Sequence, residues 1–445
     1  MKSKILFSSW LFCFAFLANT QTNLSAKQAV FIALENNFNV QVAEKQVLIA
    51  QKNNTWSEAG LFPTVALNVA LNNSIQDNTN NPFTFTPGVI LMQGISPSLS
   101  ANWNIFSGMA VRISKQRLEQ LEAQSNGNAT VVIENTIQDV LKAYYAVQLQ
   151  MERVKLFDQL KKYSKSRVDY LELKDKYAKS SSLELLQYRN QYFSDSTSHL
   201  LQQVSYENAM RNLLLIMNED KVVNEREFPV LTDPLEFVLP LLDTKQAVQE
   251  MKANNQNLKN QYISVELQKK ATEYQRSFLY PTLSFQTGVT PSHNWLRDLN
   301  NDNLKIETQV INYYGNLNLR YSIFNNWKAK RAVEVSKIQE DIAEMTTDNM
   351  VKSLEISLQN LLDMYAMRTK LVSLSETNLS YATKAFELAK SRYELGTLSS
   401  IELAVFQNNF QNTLLQHNEN LFNRLDTYLE IYKMTGKIGL EAQRN

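Results

Sequence analysis

The sequence predicts an α+β chain in which very long helices alternate with a few strands, the whole plan being written twice. Three observations predict it. Leu61-Phe62-Pro63-Thr64 returns 218 residues later as Leu279-Tyr280-Pro281-Thr282. In the same ungapped register Lys27-Gln28-Ala29-Val30 meets Lys245-Gln246-Ala247-Val248, Asn36-Asn37 meets Asn254-Asn255, and Ile105-Phe106 meets Ile323-Phe324. Four matches at one shift identify a tandem duplication. The second observation is that all nine prolines fall within Pro63–Pro97, Pro229–Pro240 and Pro281–Pro291, and only ten glycines occur in 445 residues. An interior helix tolerates proline least, so the long proline-free segments read as helices. The third is a change of period, from helical to strict alternation, after each Leu-(Phe/Tyr)-Pro-Thr.

Residues 1–20 read as a cleaved secretory signal. Lys2 and Lys4 precede an apolar run, Ile5 to Ala18, that is too short to span a bilayer of ~30 Å. Cys13, the single cysteine, lies in that run, so the mature chain has no thiol for a disulfide or a metal. The 45 basic and 44 acidic residues balance, and no basic cluster interleaves with aromatics, which argues against a nucleic-acid partner. No later run reaches the ~18 apolar residues of a membrane helix.

The first repeat, 21–225, opens with a helix over 23–60, capped at Ser25 and apolar along Ala29, Ala33, Val40 and Val47. A hairpin over 61–106 follows. Val65, Leu67, Val69 and Leu71 alternate with small or polar residues, as do Leu99, Ala101, Trp103 and Ile105 after a loop holding Pro82 and Pro87. From Ser107 to about Tyr177 the period is helical again, over ~105 Å at ~1.5 Å per residue. Ile133, Val140, Val147 and Val154 recur every seventh residue there, which is a coiled-coil seam. A tip at 178–183 and a returning helix complete the repeat. Residues 226–242, with Pro229, Pro234 and Pro240, form a linker at the equator of the helical part. The second repeat, 243–445, brings a helix over 243–279, a hairpin over 281–324, a long helix, a tip at 394–400 and a returning helix. Its strands are expected over 282–289 and 315–324. Its seam is Val351, Leu358, Tyr365, Val372, Leu379, Phe386 and Tyr393.

Each repeat thus offers two strands, apolar on one face. Hydrocarbon does not tolerate unpaired strand edges, and the smallest membrane barrels have ~8 strands, so several copies must combine to close one. This order of helix, hairpin, long helix, tip and returning helix resembles the TolC-like outer membrane efflux protein family. The crossings at Pro63 and Pro281, and the turn Arg392-Tyr393-Glu394-Leu395-Gly396-Thr397, carry the resemblance. It covers nearly all of residues 23–440. It implies a homotrimer in the outer membrane of a Gram-negative bacterium: a transmembrane β-barrel with four strands per protomer, continued into the periplasm by a coiled-coil barrel. It further implies a passive exit duct, with no enzyme activity and no cofactor. The implied partners are a periplasmic adaptor (membrane fusion) protein, an inner-membrane transporter of the RND, ABC or MFS type, and outer-membrane lipid. A periplasmic coiled-coil scaffold without a barrel is the alternative, which the strand alternation argues against.

In such a family the tips dock the adaptor, here Tyr177, Lys179 and Ser180 in the first and Arg392, Tyr393, Gly396 and Thr397 in the second. The first tip departs from the pattern, lacking glycine and being two residues shorter. Glu184 and Glu402, one repeat apart, match family acids that line a closed aperture; a second such acid a turn later is absent, Val405 standing in its place. A trimer would place six carboxylates around one axis, favouring cations. The same glutamates also suit helix starts, where the dipole favours acids. His199 and His417 are also one repeat apart, but their surroundings do not form a metal-ligand pattern. No nucleophile elbow or phosphate loop appears.

Overall fold

The computed structural model describes residues 23–84, 87–176, 182–219, 228–235, 240, 242–301 and 305–439. The expected signal segment and Cys13 lie outside these. The elements are Asn23–Leu24 (β1), Ala26–Asn36 (α1), Phe38–Asn53 (α2), Thr64–Asp77 (β2), Val89–Ser107 (β3), Ala110–Lys176 (α3), Ser182–Met217 (α4) and Val230–Leu231 (β4). Thr244–Asn254 (α5), Gln256–Ser277 (α6), Thr282–Asp298 (β5), Lys305–Arg320 (β6), Lys328–Glu394 (α7) and Ser400–Met434 (α8) follow. The α+β class and the tandem repeat are both present in that order, and α3 and α7 are each 67 residues long.

Each repeat's first helix is broken where the sequence suggested continuity. The breaks fall at Asn37 and Asn255, the same repeat position. Asn37 leaves the helix with ψ 125°, and its side-chain amide donates to the Ile216 carbonyl at 2.9 Å. Asn255 caps α6 by accepting from the Leu258 N–H at 3.0 Å. Asparagine competes with the backbone for its own hydrogen bonds, which favours caps over helix interiors. The strands differ from expectation as well. β3 and β5 run straight through Pro97 and Pro291, so β5 reaches Asp298, while β6 starts at Lys305 and ends at Arg320 rather than Phe324. Along the β3–β5 seam Ile95 faces His293 and pairing resumes at Leu99 with Val289. The two prolines fall in that gap, where neither N–H is required.

Contacts divide the chain into two compact units, each drawing matching parts from both repeats. One comprises the residues up to Phe38, Glu134–Asp243 and those from Asn360 on. Ile137, Val140, Tyr144 and Val147 of α3 are buried in it, as are Tyr365 and Val372 of α7 and Leu421, Leu425 and Tyr428 of α8. Tyr144 is fully buried and ties β1 to β4. Its hydroxyl donates to the Leu24 carbonyl at 2.9 Å and accepts from the N–H groups of Thr232 and Asp233, both at 3.1 Å.

The other unit comprises Asn39–Ile133 and Thr244–Gln359 and holds a four-stranded antiparallel sheet in the order β2-β3-β5-β6. Gly127, within α3, shows why a helix built to last carries a glycine. A Cβ there would meet Asn260 Oδ1 of α6 at 1.8 Å and Gln256 Nε2 at 2.8 Å. The glycine costs about 1 kcal/mol of helix propensity but lets the two backbones approach. Gly127→Val is therefore expected to destabilise this unit by about 1–3 kcal/mol through overpacking. The measurement is the thermal unfolding midpoint of the purified protein.

Candidate functional site

Two features stand out, the sheet and the helix tips. In the sheet, cross-strand partners share a face, so the register sorts every side chain. Leu67 pairs with Leu99, Leu99 with Val289, and Val289 with Tyr313. Four residues along, Trp103 pairs with Phe285 and Phe285 with Leu317. These belong to one face, and Val65, Leu67, Leu99, Leu317 and Leu319 are exposed on it. The opposite face carries Asn68, Ser98, Ser100, Asn102, Gln286, Asn316 and Asn318. An isolated soluble sheet would bury its apolar face; here it is open.

The apolar face is bounded by aromatics. At one border Trp103 donates its indole N–H to the Leu61 carbonyl at 2.8 Å. At the other His293 stacks on Trp295 at 4.2 Å and hydrogen-bonds Glu307, beside Asn73 and Gln93. Phe285, beside Trp103, lies ten residues before Trp295 on β5. At ~3.4 Å per residue that is about 34 Å of strand, or about 25 Å of height at a tilt of roughly 40°. β2 and β6 are the outer strands of this sheet, each without a neighbour on one side.

Pro63 and Pro281 sit immediately before β2 and β5. The second crossing is tight, Tyr280 N–H donating to the Ser277 carbonyl at 3.2 Å. The first is longer, passing through a turn in which Leu61 N–H donates to the Trp56 carbonyl at 3.0 Å.

At the tips, Tyr177, Lys179 and Ser180 lie outside the described residues. The second tip is fully described. Gly396 has φ +75°, and its N–H donates to the Tyr393 carbonyl at 2.9 Å, while Thr397 N–H donates to the Arg392 carbonyl at 2.9 Å. That pair of bonds is a Schellman motif, which closes a helix end around a left-handed residue. Thr397 Oγ1 reinforces it on the same carbonyl at 3.0 Å. Ser399 then caps α8, accepting from Glu402 N–H at 3.3 Å, and Glu402 accepts in return from Ser399 N–H at 2.9 Å and Oγ at 2.7 Å. These bonds, the backbone one foremost, hold the Glu402 carboxyl below its ordinary range. The capping box accounts for this acid by itself.

Glu184 is differently placed. It accepts from the Tyr393 hydroxyl at 2.7 Å, joining the start of α4 to the end of α7. Burial, and then this bond to the carboxylate, raise the phenol's pKa well above its ordinary value. The Arg167 guanidinium lies 4.8 Å from the Tyr393 ring and 5.3 Å from that of Tyr163, and donates to Glu394 at 3.3 Å. Val168, Leu171 and Tyr188 form the apolar floor beneath. A groove of about 750 Å³ opens over this network, lined by Arg167, Tyr170, Glu184, Tyr393 and Ser399 among others. Arg167, Tyr163 and Tyr188 carried no sequence signal, being ordinary positions of long helices.

His199 Nε2 lies 3.8 Å from Asp158, and His417 Nδ1 lies 3.0 Å from Ser375 Oγ. Among the described residues no group of three His, Cys, Asp or Glu side chains is placed to hold a metal. No described helix is long and apolar enough to cross a membrane.

A family model described as outer membrane efflux protein matches residues 30–219 and again 247–437. No curated protein sequence matches the chain. Among solved structures, the Campylobacter jejuni CmeC outer membrane channel is similar, at 15% identity over 98% of this chain and 94% of its own, with TM-score 0.72. CusC matches at 14% identity over 92% of each chain, with TM-score 0.71. A membrane protein from Pseudomonas aeruginosa matches at 12% identity over 92% of each chain, with TM-score 0.73. At such identities the likeness shows the fold.

Proposed function

This chain belongs to the outer membrane efflux protein family, and on that premise we propose that three copies form the exit duct of a tripartite efflux or type I secretion system. Family membership makes it an outer-membrane efflux channel and not an enzyme. The observation that carries the finer reading is the sheet, apolar on one face, polar on the other and open at both edges. A single open sheet cannot sit in lipid, because its edge N–H and C=O groups would go unpaired. Pairing β6 of one copy with β2 of the next removes both edges, and three copies give twelve strands, an even number in the permitted range. The apolar face then meets lipid and the amide-rich face lines water. Val335, Ile338, Ile342 and Met345, exposed along one side of α7, supply a further contact for a neighbouring copy.

In this reading the repeats 21–225 and 243–445 are joined by the linker 226–242, and Pro63 and Pro281 end helix where strand must begin. Helices α3, α4, α7 and α8 wall the periplasmic part of the duct. The second tip, with Arg392, Tyr393, Gly396 and Thr397, docks the adaptor together with Tyr177, Lys179 and Ser180. Glu184 and Glu402 stand at the aperture, Glu184 tied back by Tyr393. Substrates reach the duct from an inner-membrane pump of the RND, ABC or MFS type.

The test is the mass of the wild-type protein extracted in mild detergent, combined with copurification from native membranes. A particle of three chains carrying an adaptor and a pump is expected. A monomer overturns the barrel, and a trimer without partners overturns the tripartite assignment.

A further inference from the structure

Between Arg320 at its start and Asp298 at its far end, the polar face of the sheet carries no other charged side chain among the described residues. Its rows nearest Arg320 are amides, hydroxyls and small residues: Thr64, Asn102, Gln286 and Asn316 in one, Asn104, Ser284 and Asn318 in the next. Asp298 is buried, and its carboxylate accepts from Asn300 N–H at 2.8 Å. Arg320 is exposed; its backbone carbonyl accepts from Thr282 Oγ1 at 3.4 Å, and among the described residues its guanidinium has no hydrogen-bond or ion-pair partner. Its face is fixed by register. Arg320 pairs with Thr282, and its neighbour Leu319 pairs with Leu283 on the apolar side.

A wall of neutral amides and hydroxyls hydrates a passing solute without holding it, which suits a conduit. An unpaired guanidinium in that wall is the exception. It is not needed to pair with any carboxylate here, and repeating it around a closed barrel costs like-charge repulsion. We propose that Arg320 forms a ring of positive charge at the base of the barrel lumen and is the residue that sets the barrel's charge preference, favouring anionic cargo groups such as carboxylates and phosphates. This rests on the barrel reading above. The ring acts separately from the carboxylates at the aperture, so the two rings impose opposite preferences in series.

The experiment is the reversal potential of single channels in planar bilayers under a KCl gradient centred near 0.1 M, where the screening length is ~10 Å and the ring's field reaches into the pore. Relative to wild type, Arg320→Gln is expected to lower the chloride-to-potassium permeability ratio by about twofold, and Arg320→Glu by more. Asn316→Arg, two rows inside, is expected to raise it, and it keeps the test open should the Arg320 variants fail to insert. Lys305→Gln, on the opposite face, should leave it unchanged. Wild-type protein that forms no channel defeats the barrel reading itself. Channels that form normally with reversal potentials unmoved by Arg320→Gln, Arg320→Glu and Asn316→Arg overturn the proposal and leave the barrel standing.

Discussion

Ile311→Lys is expected to abolish assembly in the outer membrane, whereas Asn312→Lys, one residue away, should assemble normally. The two side chains lie on opposite faces of β6, Ile311 across from Pro291 and Asn312 across from Thr290. A lysine facing lipid near mid-depth costs about 2–4 kcal/mol per copy, and a closed trimer carries that cost three times. A lysine on the wet face keeps its hydration. Heat-modifiable trimer on unheated gels, measured in membranes from cells expressing each variant, separates the outcomes. Equal loss in both variants would mean that the faces are not distinguished by solvent, and the membrane assignment of this sheet would fall.

The second large effect concerns the tip. Tyr393→Phe removes only the hydroxyl that reaches Glu184 at 2.7 Å. A hydrogen bond to a charged acceptor contributes about 1.5–3 kcal/mol, and the half-exposed setting brings this nearer 1–2. Since 1.4 kcal/mol is a factor of ten in an equilibrium, the population in which α7 parts from α4 should rise by about tenfold per copy. The readout is single-channel conductance, with the variant spending more time in its high-conductance state. Tyr381→Phe, an exposed tyrosine on the same helix, should match wild type. Helix content should stay the same in both, because the ring of Tyr393 remains against Tyr188 and Arg167. Unaltered conductance in Tyr393→Phe would show that the bond does not hold the tip.

Much of the fold was legible because duplication and strand alternation are local, periodic signals. Leu67 and Leu99 announce their face in the sequence, and the register only confirms that they share it. The strand ends were not legible. Pro97 and Pro291 argue against central strands, and only the facing gap between β3 and β5 makes them tolerable. The breaks at Asn37 and Asn255 were hidden because apolar spacing continues across them. The purpose of Gly127 depends on Asn260 of α6, a partner no spacing rule reaches. At the tip, Gly396 and Ser399 were readable as turn and cap residues. The latch was not: Glu184 and Tyr393 were readable only separately, as an aperture acid and a tip residue, while Arg167 carries no signal in its own segment, and no spacing rule joins the three helices on which they stand.

Each compact unit takes corresponding pieces from both repeats, and this bears on how the chain arose. A half-length ancestor with one repeat would offer one hairpin, and six such chains would supply the twelve strands proposed here for three. Joining two genes end to end turns sixfold symmetry into threefold. Every ancestral tip was then identical to its neighbours, and any substitution struck all six at once. After fusion, alternate tips became free to diverge. Gly396 with its left-handed turn stands in the second repeat, while the first carries Lys179-Ser180-Ser181 and no glycine. In the proposed trimer two unlike sockets would alternate around one ring and could be read by two unlike surfaces of a partner, a distinction that six equal ones could never draw.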